Sequence, residues 1–263
     1  MSEQCEPFVI REDDLNVSVA WARALLAAVN PRRDLIPLFI RVGKFNGGEP
    51  CEDRTVRELL DKTLAKLGRQ SCHTVANTIF PQSFWNREKD QTTLYRRYKN
   101  VLPRLKAVES RNCRGLYFER LIGFEQNQGD DTDDNKSNQL EHIIRTYLEK
   151  TRRRTVLQAA IFDPRRDHTE GPYLKFPCLQ HVTFVPCGKC GMAVNGFYAM
   201  QYLFERAYGN YLGLCRLGNF VAHELGLELV QMNCMIGIGK VDVKSSDIRG
   251  LTSGLENRLA KIQ

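Results

Sequence analysis

Four β-rich apolar runs, at 155–162, 181–186, 192–196 and 227–238, crowd the C-terminal half of the sequence. Segments of helical period near 198–208 and 217–226 lie among them. The N-terminal half reads as more helical. Residues 12–30 open on Asp13 and Asp14, where acidic side chains favour a helix start, and stop before Pro31. Residues 34–42 have strand character, and 43–50 are turn-rich. Residues 52–67 put Val56, Leu59, Leu60, Leu64 and Leu67 on one helical face, with Gly68 as the stop. A helix interrupted by Pro103 is predicted over 91–108, and a strand over 113–124. An amphipathic helix over 138–151 aligns Leu140, Ile143, Ile144 and Leu148, and a short helix ends the chain. With neither an internal repeat nor a clear linker, the expectation is one mixed α+β domain over 1–263.

Composition narrows the class. A hydrophobic share of 42% with 26% charged residues is ordinary for a soluble globular protein. No apolar run of about 18 residues is present, so no membrane span is expected. The N-terminus lacks the basic start and apolar core of a secretory signal, so the nine cysteines are expected as reduced thiols in a cytoplasm. The net charge of +7 fits small anions or nucleic acid and is also common in proteins that bind neither. Without a basic tail or an aromatic-rich RNA-binding signature, nucleic acid is not an expected partner. The loop at 129–137 holds four aspartates, but their spacing is wrong for calcium and no glutamate closes it, so no metal is expected.

The run Lys-Phe-Pro-Cys-Leu-Gln-His (175–181) sets Cys178 at a strand entrance. An activated thiolate there can add to C6 of a uracil or cytosine ring and make C5 nucleophilic. The reaction also needs donors for the ring oxygen and arginines for a nucleotide phosphate. Candidates are Arg152, Arg153 and Arg154 after the helix at 138–151, Arg206 after an apolar segment, and Asn219 at a helix start. Each has a plainer role: helix-dipole complement, surface ion pair and helix cap. Cys187 and Cys190 flank a Gly-Lys pair and read as a tight hairpin; one such pair is half a zinc site. His181 lies an odd number of residues from Cys178, which puts the two side chains on opposite faces of a strand. Trp85 could stack on a flat ligand or serve the core.

Six segments in order carry a family resemblance. They are Asn-Gln-Leu-Glu-His-Ile-Ile (138–144), the arginines before a strand, Phe-Asp-Pro (162–164) with Pro-Cys (177–178), Phe-Glu-Arg-Ala (204–207), Tyr-Leu-Gly-Leu (211–214) and Asn-Phe-Val-Ala (219–222). Over 138–237 the chain resembles the thymidylate synthases, a family that includes the pyrimidine-nucleotide hydroxymethylases. The resemblance implies a mixed sheet with surrounding helices and a homodimer formed sheet to sheet. It makes Cys178 the nucleophile, with Arg206 at the phosphate and beside the thiolate, Asn219 at the base, and one or two of Arg152–Arg154 reaching the partner subunit's phosphate site. It implies a pyrimidine nucleotide substrate and 5,10-methylenetetrahydrofolate as one-carbon donor, with Tyr117 or Trp85 near the donor pocket. The chain departs from the pattern at Leu179, Ala207 and Gly209, and two extra residues separate Gly213 from Asn219. Lys240 and Asp242 stand where the family grips the sugar, and the family's C-terminal closing segment has no counterpart. These departures leave a second expectation open: a non-catalytic nucleotide-binding or scaffold protein on the same fold.

Overall fold

The computed structural model describes residues 6–10, 15–123, 138–151, 154–171 and 176–262. In chain order the elements are β1 (Phe8–Ile10), α1 (Val17–Val29), β2 (Leu38–Val42), β3 (Phe45–Asn46), β4 (Glu49–Pro50), α2 (Arg54–Lys66), α3 (Cys72–Ile79), α4 (Gln91–Val108) and α5 (Tyr117–Ile122). There follow α6 (Gln139–Thr146), β5 (Gln158–Ala160), α7 (Pro164–Asp167), β6 (Leu179–Cys187), β7 (Gly191–Tyr202), α8 (Ala207–Glu224), β8 (Glu228–Lys240) and α9 (Arg249–Leu259). The architecture is α+β. Six strands form one mixed sheet in the order β1-β2-β8-β7-β6-β5. β1 with β2 and β7 with β8 are parallel; the other neighbours are antiparallel. Parallel β7 and β8 need a long crossover, and α8 supplies it.

α8 is buried from Ala207 through Ala222, so it forms the middle of the molecule. Its glycines are contact points. A Cβ on Gly213 would sit 2.9 Å from the Ala76 carbonyl oxygen and from Ile79, so only glycine lets α3 approach this closely. The two predicted helices at 198–208 and 217–226 are therefore one helix. Residues 198–202 extend β7 instead, and 203–206 form a turn. Propensity read glycine as a break where tertiary contact uses it as an approach.

Other boundaries also move. Residues 117–122 are α5, not a strand: Phe118, Leu121 and Ile122 are buried, and Glu119 accepts from the Leu116 amide at 3.1 Å to close the first turn. α1 starts at Val17, with Asn16 accepting from Val19 N; Asp13 and Asp14 lie outside the described residues. α4 runs through Pro103 without ending. After α6 the chain takes a π-turn over Tyr147–Thr151, which shifts the register and leaves Leu148 exposed instead of buried. The predicted strand at 155–162 shortens to β5. The loop at 129–137 lies outside the described residues. No helix among the described residues is long and apolar enough to cross a membrane.

α8 covers one face of the sheet, and the other face carries two rows that run across the strands. Val9, Phe39, Met235, Phe197 and His181 are successive cross-strand partners, and all but His181 are apolar. The adjacent row is Arg41, Asn233, Asn195 and Thr183. Asn233 Nδ2 donates to Asn195 Oδ1 (2.7 Å), and Asn195 Nδ2 donates to Thr183 Oγ1 (2.9 Å). A concavity of about 470 Å³ lies over both rows. Val9, Phe197 and Met235 are exposed there.

Candidate active site at the start of α8

The turn at 203–206 is fixed from three sides. Trp21 Nε1 donates to the Leu203 carbonyl (2.7 Å), and the Leu203 amide donates to the Lys240 carbonyl (2.8 Å). Asp242 accepts from the Phe204 and Glu205 amides at 3.1 and 3.2 Å. Burial raises the Asp242 pKa, and these amides pull it back down. Asp242 is therefore a strut for the turn, with both carboxylate oxygens in use, while Lys240 is exposed. The turn delivers Arg206 to the N-cap of α8. No side chain caps this helix. α1, α2, α3, α4 and α6 each have an Asn, Asp or Ser cap, whereas α9, like α8, has none. The first-turn amides of α8, with the positive end of the helix dipole, favour an anion.

Cys178 stands at the entrance to β6, held by the Ala199 amide, which donates to the Cys178 carbonyl at 3.3 Å. Its thiol is partly exposed. Burial pushes the thiol pKa up, and the Arg206 guanidinium is near enough to pull it down. The Tyr117 hydroxyl lies within reach of the Cys178 and Leu179 amides, and burial raises its pKa. Tyr198 is fully buried beside Cys178, Tyr117 and Tyr211, again with its pKa raised by burial. The Tyr211 hydroxyl donates to Gln201 Oε1 (2.8 Å). Among the described residues, the Tyr198 hydroxyl and Gln201 Nε2 are buried without a hydrogen-bond partner. Unmet polar groups in a dry site are costly and mark a place where a polar ligand or water is received.

The guanidinium of Arg206 is held by Gln70, whose Oε1 accepts from Nη1 at 2.7 Å, and by Glu205 at 3.1 Å. Arg69 reaches the same Glu205 carboxylate at 3.5 Å. Two guanidinium groups thus converge on one anion. Sequence reasoning missed Arg69; its only signal was a basic residue following the Gly68 stop. It also missed Asn210, one helical turn after Arg206 and buried, with no side-chain hydrogen bond among the described residues. Spacing of four along a helix was the available signal.

Behind Cys178 a buried ion pair anchors the loop that leads into β6. Arg120 on α5 meets Asp167 on α7 in a two-pronged contact (2.5 and 2.7 Å), and both side chains are 4% exposed. The guanidinium also donates to the Ile161 carbonyl (2.8 Å) and lies 4.8 Å over the Phe176 ring. Phe176 packs on Tyr117 at 5.1 Å.

The structure does not bring Asn219 to Cys178. Asn219 lies 13 residues along α8 from Arg206, about 20 Å at 1.5 Å per residue. Its Nδ2 donates to Glu49 Oε1 (2.7 Å), and its Oδ1 abuts the Cα of Gly48, whose φ of +78° and lack of a Cβ permit the contact. Asn219 therefore fastens the β3–β4 hairpin. Trp85 is also at that end, packed on Phe80, Phe220 and His223 with Arg87 over its ring. Of the pair considered for a donor pocket, only Tyr117 is at Cys178. Arg154 is exposed before β5, and Arg152 and Arg153 lie outside the described residues. His181 faces the outer side of the sheet; Cys178 precedes the strand and a bulge between Leu179 and His181 interrupts the alternation that the spacing argument assumes. Cys187 and Cys190 flank the β6–β7 hairpin, with Gly188 at φ +60°.

No family model matches the chain, and no curated protein matches it.

Proposed function

We propose that the chain is a divergent thymidylate synthase-like protein that binds a pyrimidine nucleotide at the start of α8 and adds Cys178 to its base. The observation that carries this reading is the convergence of a strand-entrance thiol with Arg206, at a buried helix N-terminus that no side chain caps. The phosphate is held by Arg206, Arg69 and the first-turn amides of α8, with Glu205 yielding to it. The base lies against Cys178, where Asn210 and Tyr198 offer hydrogen-bonding groups. Bond formation joins Cys178 Sγ to C6. The C5–C6 π electrons move toward C5 and the ring oxygen, and the thiol proton leaves to a base. Donors at the ring oxygen and Arg206 near the thiolate both favour that step.

The family's one-carbon donor, 5,10-methylenetetrahydrofolate, would supply the methylene group that C5 attacks. Trp85, the aromatic expected to stack on it, is packed at the other end of α8. Tyr117, the other residue considered for the donor pocket, turns its hydroxyl to the Cys178 and Leu179 amides, and no step is routed through a folate. The fold reading also includes a homodimer. The apolar row Val9–Phe39–Met235–Phe197, beside the hydrogen-bonded row Asn233–Asn195–Thr183, gives a second copy both area and register.

The engagement of Arg206 by Gln70 and Glu205 favours a second reading, a non-catalytic scaffold in which these contacts are permanent. Intact mass after incubation with 5-fluoro-pyrimidine nucleotides, with and without 5,10-methylenetetrahydrofolate, separates the two. A nucleotide adduct that disappears in Cys178→Ala supports the enzyme. A folded protein that forms no adduct with any such nucleotide supports the scaffold.

A further inference from the structure

Charge is distributed unevenly over this chain. Residues 87–114 hold nine Lys and Arg against three Asp and Glu, a net +6 within a chain whose total is +7. The helix in this stretch, α4, contains five basic residues and no acidic one. Its apolar side, with Leu94, Tyr95 and Tyr98, is buried. Arg96, Arg97, Asn100 and Arg104 lie on the opposite side, within a sector of about 100° at 3.6 residues per turn, and all four are exposed. Arg96 and Arg104 make no ion pair or hydrogen bond among the described residues. Arg97 reaches only the Phe84 carbonyl, at 3.4 Å. Two of the three acidic residues have work elsewhere or lie at the edge: Asp90 caps the helix through the Thr92 amide, and Glu88 precedes it. Exposed Arg114 follows the helix, close to where Asn112 Nδ2 donates to the Leu105 carbonyl and folds the chain back.

From these observations we infer that the outer face of α4 docks the phosphate backbone of a single-stranded nucleic acid. Three guanidinium forks along about 12 Å of helix (eight residues at 1.5 Å each) match a repeating phosphate better than one small anion. A membrane surface is disfavoured because most of the apolar side of α4, with Leu94, Tyr95 and Tyr98, is consumed by the core, leaving Leu105 and Val108 exposed near its end. A single strand is favoured over a duplex because a pyrimidine reached at C6 must be free of its stack. This last step rests on the proposed reaction; the docking face does not. The face is also one helix away from the thiol. Tyr98 of α4 packs on Phe118 of α5 at 4.8 Å, and the neighbouring Tyr117 touches the Cys178 backbone. The total charge is modest, while its concentration on α4 is not.

The test is fluorescence anisotropy with a labelled pyrimidine-rich single-stranded oligonucleotide, across salt concentrations. Three neutralised phosphates give a log–log salt slope of about −2 for single strands, so affinity falls roughly 20-fold between 50 and 200 mM salt. Arg96→Ala/Arg97→Ala/Arg104→Ala should lose tenfold or more at 50 mM and most of the slope. The control Lys244→Ala/Arg249→Ala/Lys261→Ala removes the same charge from other exposed sites and should change affinity less than threefold. Thermal melts establish that both variants are folded. Cys178→Ala should bind the oligonucleotide as wild type does, so a failed nucleotide adduct leaves this result standing. Equal losses in the two triple variants overturn the docking face. So does the absence of saturable binding by wild type at 50 mM salt, or displacement of the oligonucleotide by phosphatidylserine vesicles at a lower phosphate concentration.

Discussion

At the C-terminal end of α8, Asn219 donates to Glu49, and Arg87 meets the same carboxylate at 3.0 Å. Along the same side of the helix, which reaches its first turn at Tyr208, Arg57 bridges Glu52 and Asp61 (2.6 and 2.7 Å) and lies over the Tyr208 ring. The Tyr208 hydroxyl donates to Glu52, so Ser18 Oγ must donate to Tyr208, and it accepts from the Asp53 amide. Arg216 donates to His73 Nδ1 at 2.8 Å, which places the remaining ring proton of neutral His73 on Nε2. Burial, with Arg57 and Arg216 nearby, lowers the His73 pKa and keeps it neutral. The side of the helix that carries Arg206 and Asn210 differs. There the cap is missing, the Asn210 carboxamide has no hydrogen bond among the described residues, and Tyr198 and Gln201 keep unmet polar atoms, as Asp61 Oδ1 and Trp85 Nε1 do elsewhere. Polar groups that complete one another hold a fold together; polar groups left over are available to a ligand.

Breaking the completed kind should cost stability and spare binding chemistry. The largest effect is expected for Asp167→Asn, which strands the buried Arg120 charge. Loss of one partner of such a pair costs about 3–5 kcal/mol, to be read from the urea midpoint. An unchanged midpoint would show that this pair does not anchor the β6 loop. Next comes Asp53→Ala. Asp53 caps α2 through the Val56 amide and pairs with Arg258 of α9 at 2.7 Å. Loss of the cap alone is worth about 1–2 kcal/mol. The Arg258 hydrogen bonds hold the Asp53 pKa below its ordinary value. A carboxyl depressed in the folded state stabilises above its unfolded pKa of about 3.9, and that stability is lost as pH falls. The acid side of the stability profile should therefore be flatter in Asp53→Asn than in wild type.

Much of the ordered core was legible because apolar period reports burial directly. α2, α4 and α6, the long strands β6 and β8 and the first half of β7 fall where 3.6- and 2-residue patterns place them. Elements set by tertiary contact were not legible. Gly209 and Gly213 look like breaks in sequence and act as approaches to α3. Residues 117–122 have the aromatic content of a strand, yet Arg120 needs Asp167, 47 residues away, to be buried. Of the residues singled out from type and order, Arg206 lies near enough to Cys178 to act on its thiol. Asn219 lies about 20 Å from Arg206 because α8 is continuous, which the sequence does not reveal.

Changes in the unmet set should do the reverse of the first two variants. Tyr198→Phe removes a buried hydroxyl that bonds to nothing described, so stability should stay within about 1 kcal/mol while nucleotide affinity falls severalfold in calorimetric titration. Asn210→Ala should weaken nucleotide binding, and Asn219→Ala should leave it unchanged while loosening the β3–β4 hairpin. The opposite ranking would return the base-reading role to Asn219.

The most direct measurement is site-resolved alkylation. Iodoacetamide labelling of Cys178 followed by peptide mass spectrometry, at several pH values, reads both its accessibility and its pKa. Burial raises that pKa and Arg206 lowers it, so the rate should climb through a midpoint above the ordinary thiol range and shift higher still in Arg206→Ala. Pyrimidine nucleotides should slow labelling of Cys178 in a saturable way while leaving exposed Cys187 and Cys190 untouched. Labelling of Cys178 that no pyrimidine nucleotide slows at any concentration would contradict a nucleotide site at the start of α8.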